Sequence, residues 1–286
     1  MKNYQNVVSL KHLENFIEEG GYRNKKKIYT NQIKPFFSII TVVKNSSASI
    51  EKTIKSVLNQ NNQNLEYIVI DGNSDDGTLN KIKSYNNKIS YWCSINDKGI
   101  YDAMNYGLKL ANGQVIGILN SGDIYIKNSL NIVKNYFLEN QNLSFLFGTV
   151  KRHYLGNNVI LKSGFNKNRI EYNFDSQTCH SSGFFIKSHI QKKIGLYNTK
   201  YVCSSDYDLF YKIFQDKNLI GKSTNKSELI GVVQAGGFSS KYGFWKKLKE
   251  ETQIRLDNKQ NIIFILIIFI NTLIKKGFKR LLNDFI

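Results

Sequence analysis

Apolar residues along this chain follow two alternating periods. Short runs apolar at nearly every position, FFSIITVV, EYIVI, ISYWC and VIGIL, recur between Phe36 and Leu119. Between them, Ile50, Ile54, Val57 and Leu58 stand at i, i+4, i+7 and i+8, and Leu79, Ile82 and Tyr85 at i, i+3 and i+6. Ile100, Met104, Leu108 and Ala111 follow at i, i+4, i+8 and i+11. The continuous runs predict strands covered on both faces, and the spaced residues predict amphipathic helices. Their alternation predicts βαβ units whose right-handed crossovers build a parallel sheet with helices on both faces. Four loops then open at the carboxyl edge of the sheet, where open α/β sheets bind ligands: Lys44-Asn45, Asp71 to Gly77, Asn96 to Gly99, and Asn120 to Asp123.

The pattern divides the chain into four parts. Residues 1–34 read as an appendage in which Leu10, Leu13, Phe16 and Ile17 line a short helix between Ser9 and Gly20-Gly21, followed by a basic connector. Residues 35–126 hold the alternating segment, with Pro35 ahead of its first strand. Residues 127–240 read as mixed structure, with a helix through Leu130, Val133 and Phe137 and a strand at SFLFGTV. Residues 241–286 change character: basic and aromatic YGFWKKLKEE gives way to NIIFILIIFINTLIKKGFKR.

Composition bounds the function. The chain has 286 residues, 41% hydrophobic and 22% charged, so it can bury a core and is not a disordered segment. Its net charge of +18 suits a polyanionic partner: nucleic acid, an anionic membrane face or a phosphorylated substrate. Nucleic acid is set aside because no recognition module is present and the aromatic residues do not interleave with the basic ones. Three cysteines, Cys93, Cys179 and Cys203, form no CxxC pair, which argues against a disulfide framework and for a reducing compartment. The N-terminal stretch lacks a continuous apolar run of the signal-peptide kind, so a cytoplasmic setting is expected.

Each loop offers specific chemistry. In VIDGNSDDGT, Asp71 follows a buried strand and would project into the crevice, while Asp75 and Asp76 fit turn and cap roles. A carboxylate there can accept a base N–H or a ribose hydroxyl. In NDKGIYDAMNYG, Asp97 and Lys98 precede a helix whose N-terminus favours anions, so the lysine can approach a diphosphate, with a capping turn as the alternative. In LNSGD, Asp123 is the one carboxylate available to a hard divalent cation, with Asn120 as a carbonyl ligand.

The stretches PFFSIITVVKN, EYIVIDGNSDDGT and DKGIYDAMNYGLKLANGQVIGILNSGDIY resemble the N-terminal half of family 2 glycosyltransferases, inverting enzymes of the GT-A fold. TCHSSGFFIKSHIQKKIGLYNTKYVCSSDYDLFYKI and QAGGFSS resemble the acceptor half of bacterial members that build surface polysaccharides. The resemblance runs from about Pro35 to Ser240 and implies an α/β GT-A fold: a Rossmann-like nucleotide-binding half, residues 35–126, and a mixed-sheet acceptor half, residues 127–240. It further implies transfer of a sugar from a nucleotide-sugar, UDP-linked, to a free or lipid-linked glycan of the O-antigen or capsule type. Asp71 matches the residue that contacts the base, Thr41 and Asn45 match strand-end positions at the nucleotide, Asp123 matches the metal-binding end of the DxD-like motif, and Asp206 in SSDYDL matches the catalytic base. The expected cofactor is a divalent cation, Mn2+ or Mg2+. Where the family often has further carboxylates, this chain has Asn120 and Gly122.

Inverting transfer places base and leaving diphosphate on opposite sides of the anomeric carbon, which suits residues from the two chain halves. Asp208 is the alternative base or an acceptor contact, although two residues along a helix it cannot share a face with Asp206. His180 is a candidate acceptor contact, as is an aromatic face of Phe165, Tyr172 and Phe174. The apolar helix from Ile262 to Ile274 would reach roughly 20 Å, short of a bilayer core of roughly 30 Å, so shallow insertion of a peripheral protein at an anionic inner leaflet is expected, with packing on the catalytic domain or a dimer partner as the alternative. The competing functional class is a non-catalytic nucleotide-sugar or glycan-binding protein on a degenerate scaffold of the same fold.

Overall fold

The computed structural model describes residues 6–25, 34–60, 64–154, 158–164 and 181–274. His180, Cys179 and the aromatic trio Phe165, Tyr172 and Phe174 lie outside the described residues. Four strands, β2 (Phe37–Val43), β3 (Leu65–Asp71), β4 (Tyr91–Ile95) and β5 (Val115–Ile118), pair in parallel in the order β4-β3-β2-β5. The crossovers are α2 (Ser47–Leu58), α3 (Thr78–Ser84) and α4 (Ile100–Leu110), at the positions that the helical spacing predicts. The chain steps outward from β2 to β4 and then returns to the other side of β2, so the strand order reverses between β2 and β5. That reversal point, at the carboxyl ends of the strands, is where such sheets leave a crevice.

Three further strands extend the sheet beyond β5. They are β7 (Leu143–Phe147), β10 (Phe184–Lys187), antiparallel to both β5 and β7, and β11 (Ile220–Ser223), parallel to β7. A second sheet of four strands contains β6 (Ile124–Tyr125), β8 (Thr149–His153), β9 (Val159–Lys162) and β12 (Leu229–Val233). The mixed sheet of the second half is thereby confirmed.

Alternation along β2 shows how the core splits. Phe37, Ile39 and Val43 pack on one face with Ile50, Ile54 and Val57 of α2, while Ile40 and Val42 pack on the other with Met104 and Leu108 of α4. The second of these layers continues through Phe145, Phe147 and Phe184 to Phe210 and Phe214 of α7 (Ser205–Gln215). One apolar layer therefore seats both the helix after the third loop and the helix that carries Asp206.

The N-terminal part differs from its expectation. Phe16–Gly20 is a strand, β1, antiparallel to β4, followed by the single turn α1 (Tyr22–Lys25). Leu10 is buried and Leu13 and Phe16 pack against the core, so their spacing reflects contacts of an irregular segment rather than one helix face. The strand wins because it covers the open edge of β4. It is fixed by Arg23, which donates to Glu66 Oε1 at 3.2 Å and to the Leu110 carbonyl at 2.9 Å in a buried pocket.

Of the C-terminal part, the described residues form α8 (Phe244–Asp257) and α9 (Ile262–Thr272), preceded in chain order by α5 (Ser129–Glu139) and α6 (Ser188–Ile194).

Candidate active site

The end of β2 is the hub. Gly72, directly after Asp71, donates its N–H to the Val43 carbonyl at 2.8 Å, and Ser121 donates to the Val42 carbonyl at 3.3 Å. Asp71 and the Asn120–Asp123 loop therefore flank the same strand, one strand spacing to either side, about 10 Å apart across the rim.

Asp71 is fully buried. Its Oδ2 accepts hydrogen bonds from Ser94 Oγ at 2.7 Å and from the Ser74 N–H at 3.1 Å. Its Oδ1 is buried and has no hydrogen-bond partner among the described residues, and the same holds for Asn120 Oδ1. Buried acceptors without donors are rare in folded proteins because each forfeits its hydration. Two of them stand on either side of the end of β2.

The loops around Asp71 are tied to one another. Asn45, at φ 48°, accepts the Asp75 N–H on its Oδ1 at 3.0 Å and donates its own N–H to Ser74 Oγ at 2.8 Å. Asp76 accepts from the Ser47 N–H at 2.9 Å and the Thr78 N–H at 3.0 Å, so it caps helices in two units, as its position in the turn predicts. A Cβ on Gly72 would stand 2.4 Å from Asp97 Oδ2, so a glycine lets the second and third loops close together. Burial pushes the Asp97 carboxyl up, against a hydrogen bond from the Gly99 N–H and the charge of Lys44. Lys98 lies exposed in the same turn, and its N–H donates to Asp102 Oδ2 at 3.0 Å.

Asp123 is buried at the start of β6 and reaches across to the second half. Its Oδ2 accepts from Ser182 Oγ, and its Oδ1 accepts the Gln234 N–H at 3.1 Å. Burial pushes its carboxyl up to about 6, against those hydrogen bonds and the charge of Arg152. Asn120 adds a buried, unpartnered oxygen from the same turn as the Asp123 carboxylate, and an all-oxygen set of this kind fits an oxygen-seeking cation. Among the described residues no cluster of three or more His, Cys, Asp or Glu side chains forms.

Asp206 lies in the first turn of α7. Its Oδ1 accepts from Tyr101 Oη at 3.1 Å, across the junction of the two halves, and from the Tyr207 N–H at 3.0 Å. Tyr101 is stacked on Tyr197, centroids 5.6 Å apart, with Phe238 edge-on at 6.3 Å. Asn105 locks the same junction: it donates to the Tyr197 carbonyl at 2.9 Å and accepts the Tyr197 N–H at 2.8 Å. Burial raises the pKa of Asp206, opposed by the Tyr101 and Tyr207 hydrogen bonds and by Arg152.

Arg152, unmarked by any motif, acts on both Asp123 and Asp206. It pairs in register with Val233 on β12, one residue before Gln234, whose N–H holds Asp123. The half-buried Arg152 guanidinium is therefore within electrostatic reach of both carboxylates.

Two sequence expectations are corrected. Thr41 is fully buried, and its Oγ1 accepts a hydrogen bond from Tyr67 Oη at 3.0 Å. Sharing the strand parity of Phe37 and Ile39, its side chain is held in the layer beneath α2 rather than at the rim. Asp208 is buried against Lys212 Nζ at 2.6 Å and Asn258 Nδ2 at 2.9 Å, so its carboxylate is spent tying α7 to the end of α8 and does not share the Tyr101 contact of Asp206. Missed from the sequence were Arg152, Tyr101, Ser182, Gln234 and Ser94. Ser182, Gln234 and Tyr101 stand inside stretches already notable as motifs, HSSG, QAGGFSS and DKGIYDAMNYG.

A family model described as "Glycosyl transferase family 2" matches residues 38–195, more than half of the chain. The chain is 31% identical over 183 residues to the Escherichia coli "UDP-Glc:alpha-D-GlcNAc-diphosphoundecaprenol beta-1,3-glucosyltransferase WfgD", covering 64% of this chain and 71% of that one. It is 27% identical over 190 residues to a "PGL/p-HBAD biosynthesis glycosyltransferase" of Mycobacterium bovis, covering 65% and 72%. S. aureus TarS 1-349 in complex with UDP-GlcNAc superimposes with a TM-score of 0.62 at 18% identity, over 84% of this chain and 72% of that one. Mannosyltransferase PcManGT from Pyrobaculum calidifontis, in complex with GDP-Man and Mn2+, gives 0.58 at 15% identity, over 84% and 71%. At these identities the two structures bear on the fold alone.

Proposed function

The chain belongs to glycosyl transferase family 2 and has the GT-A fold, and from that premise we propose that it transfers a sugar with inversion from a UDP-sugar to a lipid-linked glycan in surface-polysaccharide synthesis. The observation that carries the donor assignment is the pair of buried oxygens without donors, Asp71 Oδ1 and Asn120 Oδ1. A uracil N–H would satisfy the first, and a divalent cation held together with Asp123 would satisfy the second. The acceptor class is supported by WfgD, whose name specifies a diphosphoundecaprenol-linked sugar.

In this reading Asp206 takes the proton from the acceptor hydroxyl as its oxygen bonds to the anomeric carbon. The bond from that carbon to the diphosphate oxygen breaks, and UDP leaves with the electron pair. Tyr101 holds the Asp206 carboxylate in one orientation through its hydroxyl. Arg152, within electrostatic reach of Asp123, would offer positive charge to the leaving diphosphate. Asp123 and Asn120 would hold a divalent cation, which when bound neutralises charge developing on the diphosphate.

The pH dependence follows with a definite sign. A general base works ionised, so activity is lost as pH falls through the pKa of Asp206, which burial raises and Tyr101 lowers. Tyr101→Phe deletes the lowering hydrogen bond and is expected to move the acidic limb of the kcat/KM profile to higher pH; an unmoved limb contradicts the contact's role.

The reading as a whole is tested by nucleotide release from UDP-glucose, UDP-GlcNAc and GDP-mannose with manganese, with and without a polyprenyl-diphosphate sugar. UDP release that rises with acceptor supports it. No release from any donor under either condition overturns it.

A further inference from the structure

The C-terminal helices leave an apolar surface that the transfer reaction does not use. In α9 nine consecutive residues, Ile262 to Ile270, are apolar, yet only Ile265 and Ile268 are buried, against α8. Ile262, Ile263, Leu266, Ile267 and Ile270, at alternating i+1 and i+3 steps, form one stripe opposite that contact, each more than half exposed. On α8, Trp245 is 67% exposed, and with Leu256 and Phe269 it borders a groove between the two helices. Contiguous exposed apolar surface of this kind is costly in water and marks a docking site.

Charge selects the occupant. Residues 241–286 hold ten Lys or Arg (241, 246, 247, 249, 255, 259, 275, 276, 279 and 280) against four Asp or Glu (250, 251, 257 and 284). A second copy of a chain of net charge +18 would bring like charges together around the stripe. An anionic bilayer matches both the cations and the apolar face. Among the described residues no helix is long and apolar enough to cross a membrane. The eleven residues of α9 reach about 16 Å at about 1.5 Å per residue.

We propose that α9, with Trp245, lies in the interfacial plane of an anionic phospholipid bilayer. The opposite side of α8 grips the segment that leads into the base-bearing helix. Glu250 accepts the N–H groups of Val202 and Cys203 at 3.0 and 2.9 Å, Asn258 donates to Asp208, and the Arg255 guanidinium covers Tyr207 and Tyr211. Docking would therefore hold the acceptor half at the surface that carries a lipid-linked substrate. That last step rests on the proposed acceptor; the bilayer contact does not.

The test uses the full chain with vesicles of phosphatidylcholine alone or containing phosphatidylglycerol. Sedimentation is expected with the anionic vesicles, weakening as salt is raised, and falling at least about tenfold in the triple variant Ile263→Asp, Leu266→Asp, Ile270→Asp, whose UDP affinity is unchanged. The chain has two tryptophans, and Trp92 is buried, so a blue shift of emission on anionic vesicles reports Trp245 directly. Equal binding by wild type and variant, no binding to either vesicle, or a dimer in light scattering that the triple variant dissolves would overturn the proposal. Vesicle binding without nucleotide-sugar turnover would instead sink the transferase reading and leave this one standing.

Discussion

Asp206→Asn is expected to lower kcat for transfer by roughly 100- to 10,000-fold, the range for loss of a positioned general base, while UDP binds as before. The amide keeps the shape and still accepts from Tyr101 and the Tyr207 N–H, so the local packing should survive. It cannot take a proton from the acceptor hydroxyl. Loss of UDP affinity with turnover retained would contradict the assignment, because it would move Asp206 from the acceptor side to the donor side. Single-turnover kinetics at saturating donor separates the two outcomes.

The second large effect is expected at Asp123. Replacing it with Ala removes the carboxylate that would hold the cation and strips Ser182 Oγ and the Gln234 N–H of their acceptor. Leaving two donors unpaired costs about 1–3 kcal/mol each, so a drop in activity alone could reflect loosening of the junction. Ser182→Ala separates the causes: it removes one hydrogen bond and keeps the carboxylate. Transfer is expected to fall roughly 100- to 1,000-fold in Asp123→Ala and only a few-fold in Ser182→Ala. Wild-type activity should vanish with chelator and return with manganese, and the manganese needed should rise below pH about 6, where the Asp123 carboxyl protonates. Indifference of the wild type to chelator would defeat the assignment.

The first half of the fold is legible because its period switches cleanly. Runs such as Phe36 to Val43 are buried on both faces, and α2 buries Ile50, Ile54 and Val57 and α4 buries Met104 and Leu108, as their spacing predicts. The place of Asp71 at the end of β3 is legible for the same reason, since the end of a strand fixes where its last residue emerges. Thr41 was misplaced because a position near the strand end does not tell which face it occupies; its parity puts it under α2 with Tyr67. The strand Phe16–Gly20 was hidden because FIEEG is half-buried and mixed, and its pairing with β4 joins residues some seventy-five positions apart. Arg152 was invisible for a related reason. Its place beside Asp123 and Asp206 comes from the register of β8 against β12, and no local spacing encodes that. Asp208 shows the converse, a carboxylate two residues from the base that the turn of the helix sends to Lys212 and Asn258.

Calorimetric titration of UDP into the wild type and Asp71→Asn tests the central claim most directly, because the Oδ1 of Asp71 is buried with no donor among the described residues. The amide places an N–H where the base needs an acceptor. Saturable binding by the wild type, weakened at least about tenfold in the variant, is the result this account predicts. No UDP binding, or equal affinity in the two proteins, would contradict it.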